Sequence, residues 1–188
     1  SDSDVAQLCN DKYKFYLTLK DRFSLPITLR GAVFEKPRIG RGSRGLVKHI
    51  NPSKIYQEYL PGKEYTIDVL CDLESNPLIV IPRERLFVRG GISSRGKIID
   101  NTLIKKECKR LCEYLRIKGP ACIQMKEDDN GFPKITEVNP RFGGGTYFTT
   151  IAGVNIPGII IDLINGIKVD IPQPDKIKID RIFKEYIV

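Results

Sequence analysis

The stretch ITEVNPRFGGGT, Ile135–Thr146, sets a carboxylate and a carboxamide two residues apart at the end of an apolar run. A proline, an arginine and three glycines follow. Upstream lies ACIQMK, Ala121–Lys126, joined to it through EDDNGFP. Asn130-Gly131 is a strong hairpin signal, because both residues tolerate positive φ. A two-residue turn there makes facing positions sum to 261, so Gln124 faces Glu137 and Cys122 faces Asn139. Side chains two apart on a strand share a face. Gln124, Glu137 and Asn139 therefore converge on one side of the hairpin, and Ile123, Met125 and Val138 form an apolar set on the other. Three oxygen-bearing side chains suit a hard divalent cation that fills its remaining positions with water and phosphate oxygens. On these residues alone, the set also reads as the solvent face of an amphipathic hairpin. Arg141 and the glycines add a cation and a flexible backbone positioned to close over an anion.

Gly40-Arg41-Gly42-Ser43-Arg44-Gly45 matches G-x-G-x-x-G. The dinucleotide version of that pattern needs a helix after the glycines. Here LVKHINP follows, β-branched and apolar, which reads as a strand. A glycine loop between two strands is a flap whose backbone N–H groups can lie over phosphates. Lys36, Arg38, Arg41 and Arg44 surround it, which suits a polyphosphate or, read plainly, a surface hairpin with solvated charges. In IYQEYLPGKEY, Glu58 is placed to accept from an exocyclic amine and the backbone near Tyr59 and Leu60 to pair with a ring edge. Glu64 follows the Pro-Gly turn and is placed to accept from ribose hydroxyls. Alone, that segment is also a plain strand–turn–strand.

With 188 residues, 41% hydrophobic and 29% charged, the chain has the composition of a globular protein of one domain or two small subdomains. No apolar run approaches the roughly 20 residues of a membrane span. The acidic start SDSDVAQLCNDKYK is not a secretory signal. Five cysteines without a Cys-x-x-Cys pair imply free thiols in a reducing, cytoplasmic compartment. The net charge of +8 invites a nucleic-acid reading. Lysines interspersed with acids, and the absence of aromatic-basic interleaving, argue against it. One histidine, His49, has no triad or zinc partner around it. Periodicity predicts a helix from Asn10, as its cap, to about Arg22. A turn is expected at Asn51-Pro52-Ser53. A helix capped by Thr102 carries Ile104, Cys108, Leu111, Cys112 and Leu115 and ends at Gly119-Pro120. A last helix runs from Asn155 to before Gly166. Between these lie several antiparallel strands, giving an α+β class.

Taken in order, DKYKF, EKPRIGRGSRG, YQEYLPGKEYTIDVL, IQM and TEVNPRFGGG followed by IAGVNIP resemble the ATP-grasp superfamily, most of all the ATP-grasp domains of the carbamoyl phosphate synthetase large subunit. The resemblance runs from about Asn10 to Gly166. It implies two α+β subdomains with mainly antiparallel sheets gripping the nucleotide: a lead-in helix over 1–25, a small subdomain with the phosphate lid over 26–60, and a large subdomain over 61–188. It implies that Lys12 and Lys36 contact ATP phosphates, with Gly42, Ser43 and Gly45 in the lid. Glu58, Tyr59 and Leu60 would hold adenine, and Glu64 the ribose. Gln124, Glu137 and Asn139 would bind Mg2+, or Mn2+ in its place. Arg141 would steady the transferred phosphoryl group, with Arg89, Gly143 and Gly144 on the acceptor side near the arginine-rich run Arg83–Arg95.

The implied activity is ATP-dependent phosphorylation of a carboxylate, bicarbonate or carbamate to an acyl phosphate that an amine attacks. The alternative is a catalytically weak nucleotide-binding module or partner subunit of a larger synthetase. The family usually has a further domain before the helix near Asn10, which contributes substrate contacts. It also usually has longer chain around residues 26–33 and 51–55.

Overall fold

The computed structural model describes residues 1–35, 47–89 and 91–182. Two short helices open it, α1 (Ser3–Asn10) and α2 (Lys12–Leu19). Strands β1 (Thr28–Glu35) and β2 (Val47–Gln57) pair antiparallel as a two-stranded sheet. Then come β3 (Glu64–Cys71), β4 (Pro77–Arg89), β5 (Ile92–Ile98), α3 (Thr102–Leu115), β6 (Gly119–Glu127), β7 (Pro133–Asn139), α4 (Tyr147–Ile151), α5 (Ile156–Ile164) and β8 (Lys178–Asp180). The second sheet is six-stranded, ordered β7-β6-β3-β4-β5-β8, with every pairing antiparallel. The α+β class holds.

Both faces of this sheet are covered. On one, Tyr65, Ile67 and Val69 of β3 and Ile123, Met125 and Val138 of the hairpin pack with Ile104, Cys108 and Leu111 of α3 and with Phe15 and Leu19 of α2. On the other, Leu70, Ile79, Ile81 and Ile98 pack with Ile156 and Ile159 of α5. That second cluster covers only one end of its face. The polar residues of the hairpin lie on the same face, beyond it. All five cysteines are free and buried. No helix among the described residues is long and apolar enough to cross a membrane.

The hairpin reaches its expected pairing by an unexpected route. Cys122 faces Asn139 and Gln124 faces Glu137. Nearer the turn, however, Met125 faces Ile135 and Glu127 faces Pro133, one residue out of that register. The connection is a three-residue loop: Gly131 N donates to the Asp128 carbonyl and Asp128 N to the Phe132 carbonyl, with Gly131 at φ 79°. This is a type I turn followed by a left-handed glycine. The Asp128 carboxylate accepts from Asn130 N and Phe132 N and locks it. A bulge at Thr136, whose hydroxyl donates to the Gln124 carbonyl, restores the register. Two departures from the two-residue turn cancel.

Other expected boundaries move by local chemistry. Asp11, not Asn10, caps α2, its carboxylate accepting from Tyr13 N and Lys14 N; Asn10 is the last residue of α1. Asn101, not Thr102, caps α3 by accepting from Ile104 N. That helix stops at Leu115 because Arg116 turns left-handed at φ 54°; Gly119-Pro120 instead opens β6. Asn51-Pro52-Ser53 is not a turn but an irregularity inside β2. Arg30 faces Ile55 and Ala32 faces Ile50, so residues 51–54 stand opposite Gly31 alone. Pro52 supplies no N–H, and an irregular stretch of this kind tolerates it. The last helix begins after Asn155, which caps it, and is followed by Gly166 at φ 70°, as expected.

Candidate functional site

Register alone assembles a row of side chains across the large sheet. Glu137 faces Gln124, Gln124 faces Thr66, and Thr66 faces Arg83. The next row runs Asn139, Cys122, Asp68. Gln124, Glu137 and Asn139 are half-buried on one face, and the side chains of Gln124 and Glu137 make no hydrogen bond among the described residues. Asn139 Oδ1 accepts from Arg141 Nη2 at 3.3 Å. One carboxylate and two carboxamides fit a hard divalent cation. Among the described residues no three His, Cys, Asp or Glu side chains cluster into a metal site. A dication held here therefore takes a single protein charge and needs anionic oxygens from elsewhere, such as a polyphosphate.

The glycine stretch after Arg141 is packed, where the sequence suggested flexibility. A Cβ on Gly143 would lie 2.7 Å from Cys122 Sγ, and one on Gly145 would lie 2.7 Å from Nη1 and Nη2 of Arg83. These glycines are required for close approach of the backbone to the sheet. What pulls the loop down is Asp68, which is buried. Its carboxylate accepts from Thr146 Oγ1 at 2.9 Å, from Thr149 Oγ1 at 2.6 Å and from Arg83 Nη2 at 3.3 Å. Thr146 Oγ1 in turn accepts from Gly143 N. The Arg83 guanidinium stacks on Phe148, 5.2 Å from the ring centroid. Burial pushes the Cys122 thiol up to about 11, so it stays protonated at neutral pH and is no nucleophile.

Glu58, Tyr59 and Leu60 follow directly on β2. The Glu58 carboxylate accepts from Lys134 Nζ at 2.7 Å and from Ile27 N at 3.0 Å. It ties β2 to β7, a structural job the sequence did not suggest. Leu60 is buried and Tyr59 is exposed, with Lys126 Nζ 5.6 Å from its ring centroid. Lys126 lies four residues from Cys122 on β6, roughly 13 Å along a strand. The segment expected to hold adenine thus lies toward the turn end of these strands, two residues from Gln124 and further from Asn139. Glu64 is held by Arg85 Nη1 at 2.5 Å. The Lys134 hydrogen bond, followed by that of Ile27, holds the Glu58 carboxyl below the ordinary carboxylate range. Its stabilising contribution is present above the unfolded value, about 4.3, and is lost as pH falls through the folded value. In thermal melts from pH 7 to 3, the deficit of a Glu58→Gln variant relative to the parent is expected to be largest near neutrality and to shrink below about pH 4.

Arg89 is exposed at the end of β4 and lines a cavity with Phe87, Arg95 and Asp180. It stands apart from the oxygen-bearing row. The arginine-rich stretch is regular strand structure. It is the β4–β5 hairpin, with Arg83 and Arg85 turned inward. Lys12 is exposed at the start of α2. Lys36, Gly42, Ser43 and Gly45 lie outside the described residues. Sequence reasoning missed Asp68, Thr146, Thr149 and Lys126. The only available signal was an acid in the alternating strand EYTIDVLC, which also fits a solvent-facing position.

A family model described as "ATP-grasp in the biosynthetic pathway with Ter operon" matches residues 51–183. No curated protein matches the chain. Among solved structures, the chain is similar to the phosphoribosylaminoimidazole carboxylase ATPase subunit from Aquifex aeolicus, with 17% identity, TM-score 0.64, and 87% of this chain and 51% of that one covered. It is similar to N5-carboxyaminoimidazole synthetase from Staphylococcus aureus complexed with ADP, with 16% identity, TM-score 0.64, and coverage of 87% and 52%. It is also similar to an L-amino acid ligase from Bacillus licheniformis, with 17% identity, TM-score 0.59, and coverage of 84% and 48%. At these identities the likeness is one of fold, and the chain spans about half the length of each.

Proposed function

We infer that this chain, which belongs to the ATP-grasp superfamily, is an ATP- and magnesium-dependent ligase unit that phosphorylates a carboxylate, or bicarbonate or carbamate, for attack by an amine. The observation that carries this reading is the shared face of Gln124, Glu137 and Asn139, with Arg141 hydrogen-bonded to Asn139 and the glycine loop packed beside it. Similarity to a synthetase bound to ADP and to an L-amino acid ligase supports it. In this reading the two-stranded sheet belongs to the small lobe, over 26–60, and the six-stranded sheet to the large lobe, over 61–188. Tyr59 and Lys126 would sit beside adenine, and the phosphates would be held toward Asn139.

Gln124, Glu137 and Asn139 would hold the magnesium, which when bound would neutralise phosphate charge. Arg141, exposed and tethered to Asn139, presents its guanidinium to the phosphoryl group in flight. An acceptor carboxylate oxygen attacks the γ-phosphorus as the bond to the bridging oxygen breaks and ADP leaves. The amine then adds to the acyl carbon, phosphate departs, and the amine proton passes to solvent. Such chemistry needs positioning and charge neutralisation more than a side-chain nucleophile, in keeping with a protonated Cys122 and one histidine. The test is to trap the acyl phosphate. Hydroxylamine with MgATP and a panel of carboxylic acids should yield a hydroxamate together with ADP. ADP release that is independent of every acid, with no hydroxamate, would overturn the ligase reading.

A further inference from the structure

Buried guanidinium donors that no hydrogen bond consumes lie beside the proposed reaction centre. A cavity of about 50 Å3 is lined by Thr66, Arg83, Arg85, Ser93, Gln124 and Gly145, among others. The side chains of Arg83 and Arg85 are 1% and 5% exposed. Two apart on β4, they rise from the same face. Arg83 gives Nη2 to Asp68. Arg85 gives Nη1 to Glu64 and Nη2 to the Gly91 carbonyl at 2.7 Å. Arg83 Nε, Arg83 Nη1 and Arg85 Nε are buried with no hydrogen-bond partner among the described residues. A charged donor removed from water without an acceptor is costly, and two guanidinium groups so arranged present matched donors to a planar oxyanion. Nη1 of Arg83 lies on the side of Gly145, which lines the same cavity.

The position of the cavity decides what the oxyanion belongs to. Gln124 borders it and also stands in the proposed metal set, and Arg83 is two strand spacings from Gln124, roughly 10 Å. An acid held there lies within one small molecule's length of the phosphoryl group. Its own oxygens, hydrogen-bonded by two buried guanidinium groups, are poor nucleophiles. Resting on the ligase reading, we propose that this cavity anchors a second, non-reacting carboxylate of the acceptor substrate, which is therefore a dicarboxylic acid or an amino acid whose other carboxylate is phosphorylated. Arg83 and Arg85 are its specificity-determining residues.

Two measurements test this on the chain as it stands. In the first, acetate is titrated calorimetrically without nucleotide, at constant ionic strength set with chloride. The parent should bind it saturably, and Arg85→Met should bind at least tenfold more weakly. Gly145→Ala, whose Cβ would press on the Arg83 guanidinium, should do the same and serves if Arg85→Met does not fold. No binding to the parent, or equal binding to the folded variants, overturns the pocket. In the second, hydroxamate formation with MgATP is compared for succinate, glutarate and glutamate against monocarboxylic acids of equal length. The diacids should have at least tenfold higher kcat/KM, with Arg85→Met raising KM more than it lowers kcat. Equal use of monoacids and diacids overturns the second-carboxylate assignment. Acetate binding without hydroxamate from any acid supports the pocket and overturns both the ligase reading and the substrate class built on it.

Discussion

Asp68→Asn is expected to cost about 3–5 kcal/mol of stability, the usual penalty for leaving one member of a buried ion pair uncompensated. Asp68 and Arg83 are both essentially inaccessible to solvent. The amide keeps the shape but removes the charge that Arg83 needs, and its NH2 end meets as a donor either the Thr146 hydroxyl or the Thr149 hydroxyl together with Arg83. Both hydroxyls now donate to the carboxylate, so the loop carrying Gly143 and Gly145 loses its anchor as well. Urea unfolding followed by circular dichroism measures the loss. A double variant Asp68→Leu/Arg83→Met should recover part of it, because an apolar replacement removes both charges together. A loss below about 1 kcal/mol for Asp68→Asn would mean that the buried pair does not hold the loop.

The second large effect concerns rate and not stability. Arg141 is exposed, and its described side-chain hydrogen bonds go to Asn139 Oδ1 and the Phe142 carbonyl. Arg141→Ala should therefore change stability by less than about 0.5 kcal/mol, as surface substitutions generally do. Removing a donor aimed at developing charge costs roughly 10²–10³ in kcat, and that loss is expected in acid-dependent ADP release, with MgATP binding changed much less. An Arg141→Ala variant that turns over at the parental rate would remove Arg141 from the reaction.

What was legible in the sequence was local. The face shared by Gln124, Glu137 and Asn139 follows from strand alternation, and the reading survived a wrong turn type because a bulge at Thr136 offset the extra loop residue. The cap of the last helix was visible because Asn155-Ile156-Pro157 carries its own chemistry. Properties set by distant chain were hidden. Alternation puts Asp68 opposite Ile67 and Val69, hence on the outer face, and nothing nearby reveals that residues 143–149, some 75 or more positions on, will cover that face. For the same reason Gly143 and Gly145 read as flexible, although close approach to Cys122 and Arg83 is what excludes a side chain there. Glu58 read as a ligand residue because its partner Lys134, which holds it at 2.7 Å, is 76 positions away. The burial of Arg83 and Arg85 was hidden as well, because it depends on the loop and strands around them.

The central claim is that the β6–β7 face is a metal–nucleotide site. Calorimetric titration of MgATP into the chain, alongside a Glu137→Ala/Asn139→Ala variant shown to be folded, tests it most directly. The account predicts saturable binding by the parent and at least tenfold weaker binding by the variant in magnesium. Equal affinity of the two for MgATP, or no binding by the parent, would contradict it.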